Sequence, residues 1–137
     1  MTSILIRLHC GLHTLIDDVD LQTVQEFYWG AVRTKYTRRI NHYVQGRVGG
    51  RNVGLHRFLM GPAGRLDVDH VNGDGLDNRR SVNLRHVTRS ENMKNRAPGD
   101  SPLSRGVLPE GVPIVALAKL PTPRGYSRAK FEAGLRA

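Results

Sequence analysis

Residues 66–96 constrain the fold more than any other part of the chain. Residues 66–70 read as a short strand that ends in an acid and a histidine, Asp69 and His70. Asn72-Gly73-Asp74-Gly75 is dense in turn formers, and Asp77-Asn78-Arg79-Arg80 continues the loop. Residues 84–87 read as a second strand. Thr88-Arg89-Ser90-Glu91 is a capping box, with Thr88 as the cap and Glu91 three residues on. A helix is therefore predicted over residues 89–96, with Asn92 and Asn95 in its early turns. The order strand, polar loop, strand, capped helix describes a β-β-α unit.

Such a unit gathers the end of its first strand, the start of its second and the opening turns of its helix. Here those places hold Asp69-His70, Asn83 and Asn92. Phosphodiester hydrolysis needs an activated water, a cation at the scissile phosphate and a way to protonate the leaving oxygen. A neutral imidazole at His70 can take a proton from water near neutral pH. With an ordinary pKa of roughly 6.5, its action should fade below that value. Asp69 would point to the opposite side of the strand unless the backbone turns there. If it turns, the Asp69 carboxylate and the Asn92 amide oxygen can share one hard cation such as Mg²⁺ or Mn²⁺. Asn83 can fix the imidazole by bonding its ring or its backbone, and Asn78 is the alternative for that role.

The 60 residues before this unit read as a small α+β platform. Ile4, Ile6 and Leu8 alternate as in a strand, Gly11 allows a turn, and residues 12–16 read as a second strand. Asp20 is placed to cap a helix carrying Leu21, Val24 and Tyr28 on one face, with Trp29 packed beneath it. Residues 43–48 and 51–55 flank Gly49-Gly50, a hairpin signature. Residues 55–60 read as a short helix stopped by Gly61-Pro62. The fold class predicted is therefore α+β, a small antiparallel-strand platform followed by the β-β-α unit. The divisions are 1–61 for the platform, 62–97 for the unit and 98–137 for a basic tail.

Charge identifies the partner class. The chain of 137 residues has a formal charge of +9, and residues 30–96 alone hold 14 basic and 5 acidic residues. Of its 21 basic residues 17 are arginine, which forms bidentate phosphate contacts and stacks on bases. A nucleic acid is the partner this implies. Arg79, Arg80, Arg85, Arg89, Lys94 and Arg96 lie nearest the unit as phosphate contacts. His56 is either a brace for the site or a further phosphate contact, whereas His9, His13, His42 and His86 read as structural. The single cysteine, Cys10, excludes a disulfide framework and any multi-cysteine zinc site. No apolar run approaches the roughly 18 residues of a membrane span. The expected setting is the cytoplasm, with no membrane partner.

The series Asp69-His70-Val71-Asn72-Gly73-Asp74, Leu76-Asp77-Asn78-Arg79-Arg80, Asn83-Leu84-Arg85 and Glu91-Asn92 with Asn95-Arg96 resembles the HNH (ββα-metal, His-Me finger) endonucleases. The nearest branch is the phage and intron-encoded homing type, which lacks structural zinc. Upstream segments resemble that branch too: residues 16–20, Phe27-Tyr28-Trp29 and residues 55–61. The resemblance covers roughly residues 4–97 and implies a bacterial or phage-infected cell as the setting. It implies His70 as general base, Asp69 and Asn92 as metal ligands, and Asn83 as the asparagine that positions the base. Ser81-Val82 looks like a one-residue insertion against the family pattern, absorbed as a bulge or displacing Asn83. Ser104-Arg105-Gly106-Val107 resembles the start of an Apetala-type DNA-binding domain, so the tail is either a remodelled remnant of one or a disordered basic arm.

The predicted function is a metal-dependent DNA endonuclease, nicking as a monomer or cutting both strands as a homodimer. The alternative is a catalytically impaired DNA-binding protein of the same fold. A nuclease toxin has no receptor or translocation segment to support it.

Overall fold

The computed structural model describes residues 2–34, 39–94 and 100–117. It is a mixed α+β fold of three small sheets with short helices between them. No helix among the described residues is long and apolar enough to cross a membrane.

The chain opens with a hairpin of β1 (Ser3–Arg7) and β2 (His13–Asp17) in antiparallel register, Ile4 opposite Ile16. Ile4, Leu5 and Ile6 are all buried, so β1 is covered on both faces rather than only on the alternating face read from the sequence. The helix expected after Asp20 is only one turn long, α1 (Leu21–Val24), entered through a 3₁₀ turn at Asp18–Asp20. Asp20 makes no side-chain cap; its carboxylate accepts instead from Arg80 at 2.7 Å. Trp29 is fully buried beneath this turn, and its indole N–H donates to the Val24 carbonyl at 2.7 Å.

The second sheet is β3 (Trp29–Arg33), β4 (His42–Val48) and β5 (Arg51–Gly54), all antiparallel. Gly49 and Gly50 both have positive φ, 58° and 79°, as a tight hairpin turn with the right twist requires. Gly46 lies opposite Trp29, where a Cβ would sit 2.5 Å from the indole and 2.6 Å from the Tyr28 carbonyl. The indole fills the space that a side chain at 46 would need.

Helix α2 (Leu55–Met60) follows and stops at Gly61, whose φ of 72° no helix continues. It packs on β4, β5 and on the third sheet. That sheet pairs β6 (Asp67–His70) with β7 (Leu84–Val87). Helix α3 (Arg89–Lys94) begins where the capping box placed it: Thr88 Oγ1 accepts from the Glu91 N–H at 3.2 Å. Helix α3 packs against β6. Asn95 and Arg96 lie outside the described residues.

The segment after α3 is built into the body over its described residues. Leu103 and Ser104 are buried in a 3₁₀ turn over Leu103–Arg105, and β8 (Ile114–Ala116) pairs in parallel with β1. A three-residue strand broken by nearby prolines gives no periodic signal, which is why the sequence leaves it unread. Residues 118–137 of the basic tail lie outside the described residues.

Candidate active site

The end of β6 carries Asp69 and His70 side by side. Asp69 is 6 % exposed and stands in direct register with Arg85 on β7. Both Nε and Nη2 of Arg85 donate to Asp69 Oδ2 at 3.1 Å. The register explains the pair, because opposite residues of an antiparallel ladder point to the same face.

The His70 ring is bonded to Asn78, Nε2 to Oδ1 at 2.9 Å. On its other flank lies the His56 ring from α2, with centroids 4.9 Å apart. His56 also presses on Gly54, where a Cβ would meet its ring at 2.6 Å. Burial, with the neighbouring His70 and Arg57 adding to it, lowers the His56 pKa to about 3. His56 is therefore uncharged at neutral pH, and any contact it makes with phosphate is through a neutral ring. Burial also lowers the His70 pKa, partly offset by the Asn78 hydrogen bond and the carboxylates of Asp74, Asp69 and Asp77. His70 is thus neutral, with a lone pair to offer, over a wider pH range than a free histidine.

The loop between β6 and β7 is held by its own polar side chains. Asn83 and Asn72 bond reciprocally: the Asn72 N–H donates to Asn83 Oδ1 and Asn83 Nδ2 donates to Asn72 Oδ1, both at 3.0 Å. The second Asn83 proton goes to the Asp77 carbonyl at 2.7 Å. The Asn83 amide thus braces the loop backbone, and the side chain seated on the His70 ring is that of Asn78. Ser81 and Val82 lie in a helical turn. The Asn83 N–H reaches back to the Arg79 carbonyl at 2.9 Å, Ser81 is tethered to Asp17, and Val82 projects into solvent, 61 % exposed.

Outside residues clamp the same loop. Asn41 donates to the Gly73 carbonyl and accepts from the Gly75 N–H, at 3.1 and 3.2 Å. Gly75 has no room for a Cβ, which would collide with the His42 carbonyl. Ser101 Oγ donates to Asp74 Oδ1 at 2.6 Å.

Asp69, His70, His56 and Asn92 line one open cleft of about 270 Å³, together with Asn41 and Tyr43 among others. Asn92, on the first turns of α3, directs its Nδ2 to Asp67 Oδ2 at 3.4 Å, which leaves its amide oxygen as the acceptor. An Asp carboxylate and an Asn amide oxygen in one cleft suit a hard cation that completes its shell with water and phosphate oxygens. Among the described residues no three His, Cys, Asp or Glu side chains gather in a metal-binding group.

Three of the arginines expected at phosphate are engaged inside the protein. Arg79 pairs with Asp77 at 2.8 Å, Arg80 with Asp20 at 2.7 Å and Arg85 with Asp69 at 3.1 Å. Arg80 and Arg85 still expose nearly half of their side chains. Arg89 and Lys94 are exposed on α3, and Arg96 lies outside the described residues. Thr14, Asn41 and Ser101 are site-shaping residues that the sequence did not disclose.

The model of the HNH endonuclease family matches residues 61–94. The matched stretch contains β6, the loop, β7 and α3, and with them Asp69, His70, Asn83 and Asn92. It supports a nuclease of HNH type. No curated protein and no solved structure matches the chain.

Proposed function

We propose that the protein is a divalent-metal-dependent DNA endonuclease, a nickase or double-strand cutter, in which His70 is the general base. The supporting observation is the shared cleft: Asp69, His70 and Asn92 line it together, within the stretch that matches the HNH endonuclease family. Its metal-ligand pair is Asp69 and Asn92, with Mg²⁺ or Mn²⁺ as the fitting ions. When bound, the cation supplies charge stabilisation at the scissile phosphate and at the departing 3′ oxygen. His70, kept neutral by burial, takes the proton of the attacking water. Asn83 holds the β6–β7 loop through Asn72 and Asp77, so the strand end that carries the base is fixed. Arg89 and Lys94, with the exposed parts of Arg79, Arg80 and Arg85, contact the DNA backbone, and the +9 charge steers the duplex to the cleft.

Incubation of the purified protein with supercoiled plasmid and Mg²⁺ or Mn²⁺ tests this reading, beside a His70→Ala control. Wild type relaxes or linearises the plasmid and His70→Ala does not. Identical plasmid patterns from the two proteins would end the enzyme reading. Salt-sensitive DNA binding would then remain as the function of this fold.

A further inference from the structure

We propose that Thr14 and Asn78 are positioning residues that hold His70 in the single tautomer with its proton on Nε2. The N-terminal hairpin would thereby set the base. The inference rests on the reading of His70 as general base, and it concerns how that base is prepared.

The chain of bonds has a fixed polarity because it begins at a group that can only accept. The Leu76 carbonyl accepts from Thr14 Oγ1 at 2.8 Å. The single hydroxyl proton of Thr14 is committed there, so toward Asn78 its oxygen is an acceptor. Asn78 Nδ2 donates to it at 2.9 Å and points its second proton toward the Gly75 carbonyl at 3.4 Å. Two acceptors on the amide nitrogen fix which way round the Asn78 side chain sits. Its oxygen then faces His70 Nε2, 2.9 Å away. An amide oxygen cannot donate, so Nε2 carries the proton. In a neutral imidazole the lone pair is then on Nδ1.

The surroundings keep this arrangement from relaxing. Thr14 and Asn78 are both 0 % exposed, so solvent does not compete for either group. Strand β2 and the loop are also locked in register around them. The Leu15 N–H donates to the Leu76 carbonyl at 2.9 Å, and the Asn78 N–H donates to the Leu15 carbonyl at 2.7 Å. Thr14 is thus delivered to Asn78 by a backbone bridge between Leu15 and Asp77. A base must present its lone pair to water in every turnover, and an imidazole divided between two tautomers is competent only part of the time.

The test combines a spectrum with kinetics on the full chain. Nitrogen-15 spectra of the imidazole groups, recorded without metal or DNA at a pH where His70 is neutral, identify the nitrogen that carries the proton. In wild type the proton is on Nε2. In Thr14→Val the Asn78 amide loses its anchor and the His70 signal becomes a mixture of tautomers, whereas Thr14→Ser restores the wild-type pattern. Plasmid cleavage follows: kcat of Thr14→Val falls in proportion to the molecules that no longer carry the proton on Nε2, about twofold for an even mixture, while KM stays at its wild-type value. A wild-type proton on Nδ1 overturns the inference even if Thr14→Val does not fold. So does a Thr14→Val spectrum identical to wild type. Failure of the endonuclease reading is separate from both, since it appears as equal cleavage by wild type and His70→Ala.

Discussion

Arg85 stands directly across the β6–β7 ladder from Asp69 and places two nitrogens on the same carboxylate oxygen, Oδ2, each at 3.1 Å. One oxygen of the acid that would hold a cation is therefore already held by a fixed positive charge. The pair is half-exposed on the arginine side, so its contribution to folding is small. Its effect on a second cation is not small, because two positive charges on one carboxylate repel each other. Arg85→Gln should lower the Mg²⁺ concentration needed for half-maximal cleavage while raising KM for DNA, since a phosphate contact is lost. Metal titrations of cleavage at two DNA concentrations separate the two effects. A higher Mg²⁺ requirement in Arg85→Gln would show that the arginine organises Asp69 rather than competing for it.

Gly75 is a point at which the β6–β7 loop touches β4. A Cβ there would collide with the His42 carbonyl, and the neighbouring Asn41 clamp holds the loop on both sides of the contact. Backbone cannot yield as a flexible side chain would, so Gly75→Ala must push the loop away. An overpacked site of this kind costs about 1–3 kcal/mol. Cleavage should fall further than stability, because Asn78 moves with the loop and His70 loses its partner. Urea unfolding and plasmid cleavage of the same sample decide; full activity in a destabilised Gly75→Ala protein would contradict the coupling.

The parts of this structure that the sequence disclosed are those written in adjacent residues. The Thr88 cap, the Gly49-Gly50 turn and the Gly61 stop each depend on the local backbone, and each stands where its residues placed it. Asp69, His70 and Asn92 were legible for the same reason: the β-β-α order brings them together within one short stretch. The support around them was not. Thr14 meets Asn78 across 64 positions and Asn41 meets Gly73 across 32, and no periodicity marks either pair. Asp20 was misread because an acid before a helical turn is usually a cap, whereas here a tertiary partner, Arg80, claims it. The parallel pairing of β8 with β1 likewise depends on a segment more than a hundred residues away.

Acid should destabilise this fold through its histidines. Burial holds the His56 pKa near 3, against about 6.5 in the unfolded chain. Below pH 6.5 the unfolded chain binds a proton that the folded one refuses, so stability is full above 6.5 and is lost as pH falls toward 3. At about 1.4 kcal/mol per unit, His56 alone would cost roughly 2 kcal/mol between pH 6.5 and 5. His13, His42 and His70 are lowered too, and act in the same direction. His56→Phe keeps a ring against Gly54 and His70 but cannot titrate, so its unfolding free energy should vary less with pH than that of wild type. Equal pH dependence in both proteins would remove His56 as the source. For cleavage, the lowered His70 pKa moves the acid limb below the 6.5 expected of a free histidine.

Residues 100–117 should prove to be structural. Ser101 bonds both the β6–β7 loop and the end of the β3–β4 connection. Its hydroxyl donates to Asp74 at 2.6 Å and its N–H to the Ile40 carbonyl at 2.9 Å. Leu103 joins the hydrophobic core, and β8 covers one edge of β1. Asp74 Oδ1 also accepts from the Leu76 N–H at 3.0 Å, so Ser101 and the loop share one carboxylate oxygen two residues from the Thr14 contact. A disordered arm could be removed without consequence. Here a chain ending at residue 99 loses a buried leucine, worth about 2–5 kcal/mol on the scale of core truncations, together with a strand ladder. It should unfold at markedly lower urea and lose cleavage even at saturating DNA. The single change Ser101→Ala removes only the hydroxyl and should cost about 1 kcal/mol. Urea curves for both proteins, compared with wild type, check the claim; a truncated chain as stable as wild type would leave residues 100–117 as a mere appendage.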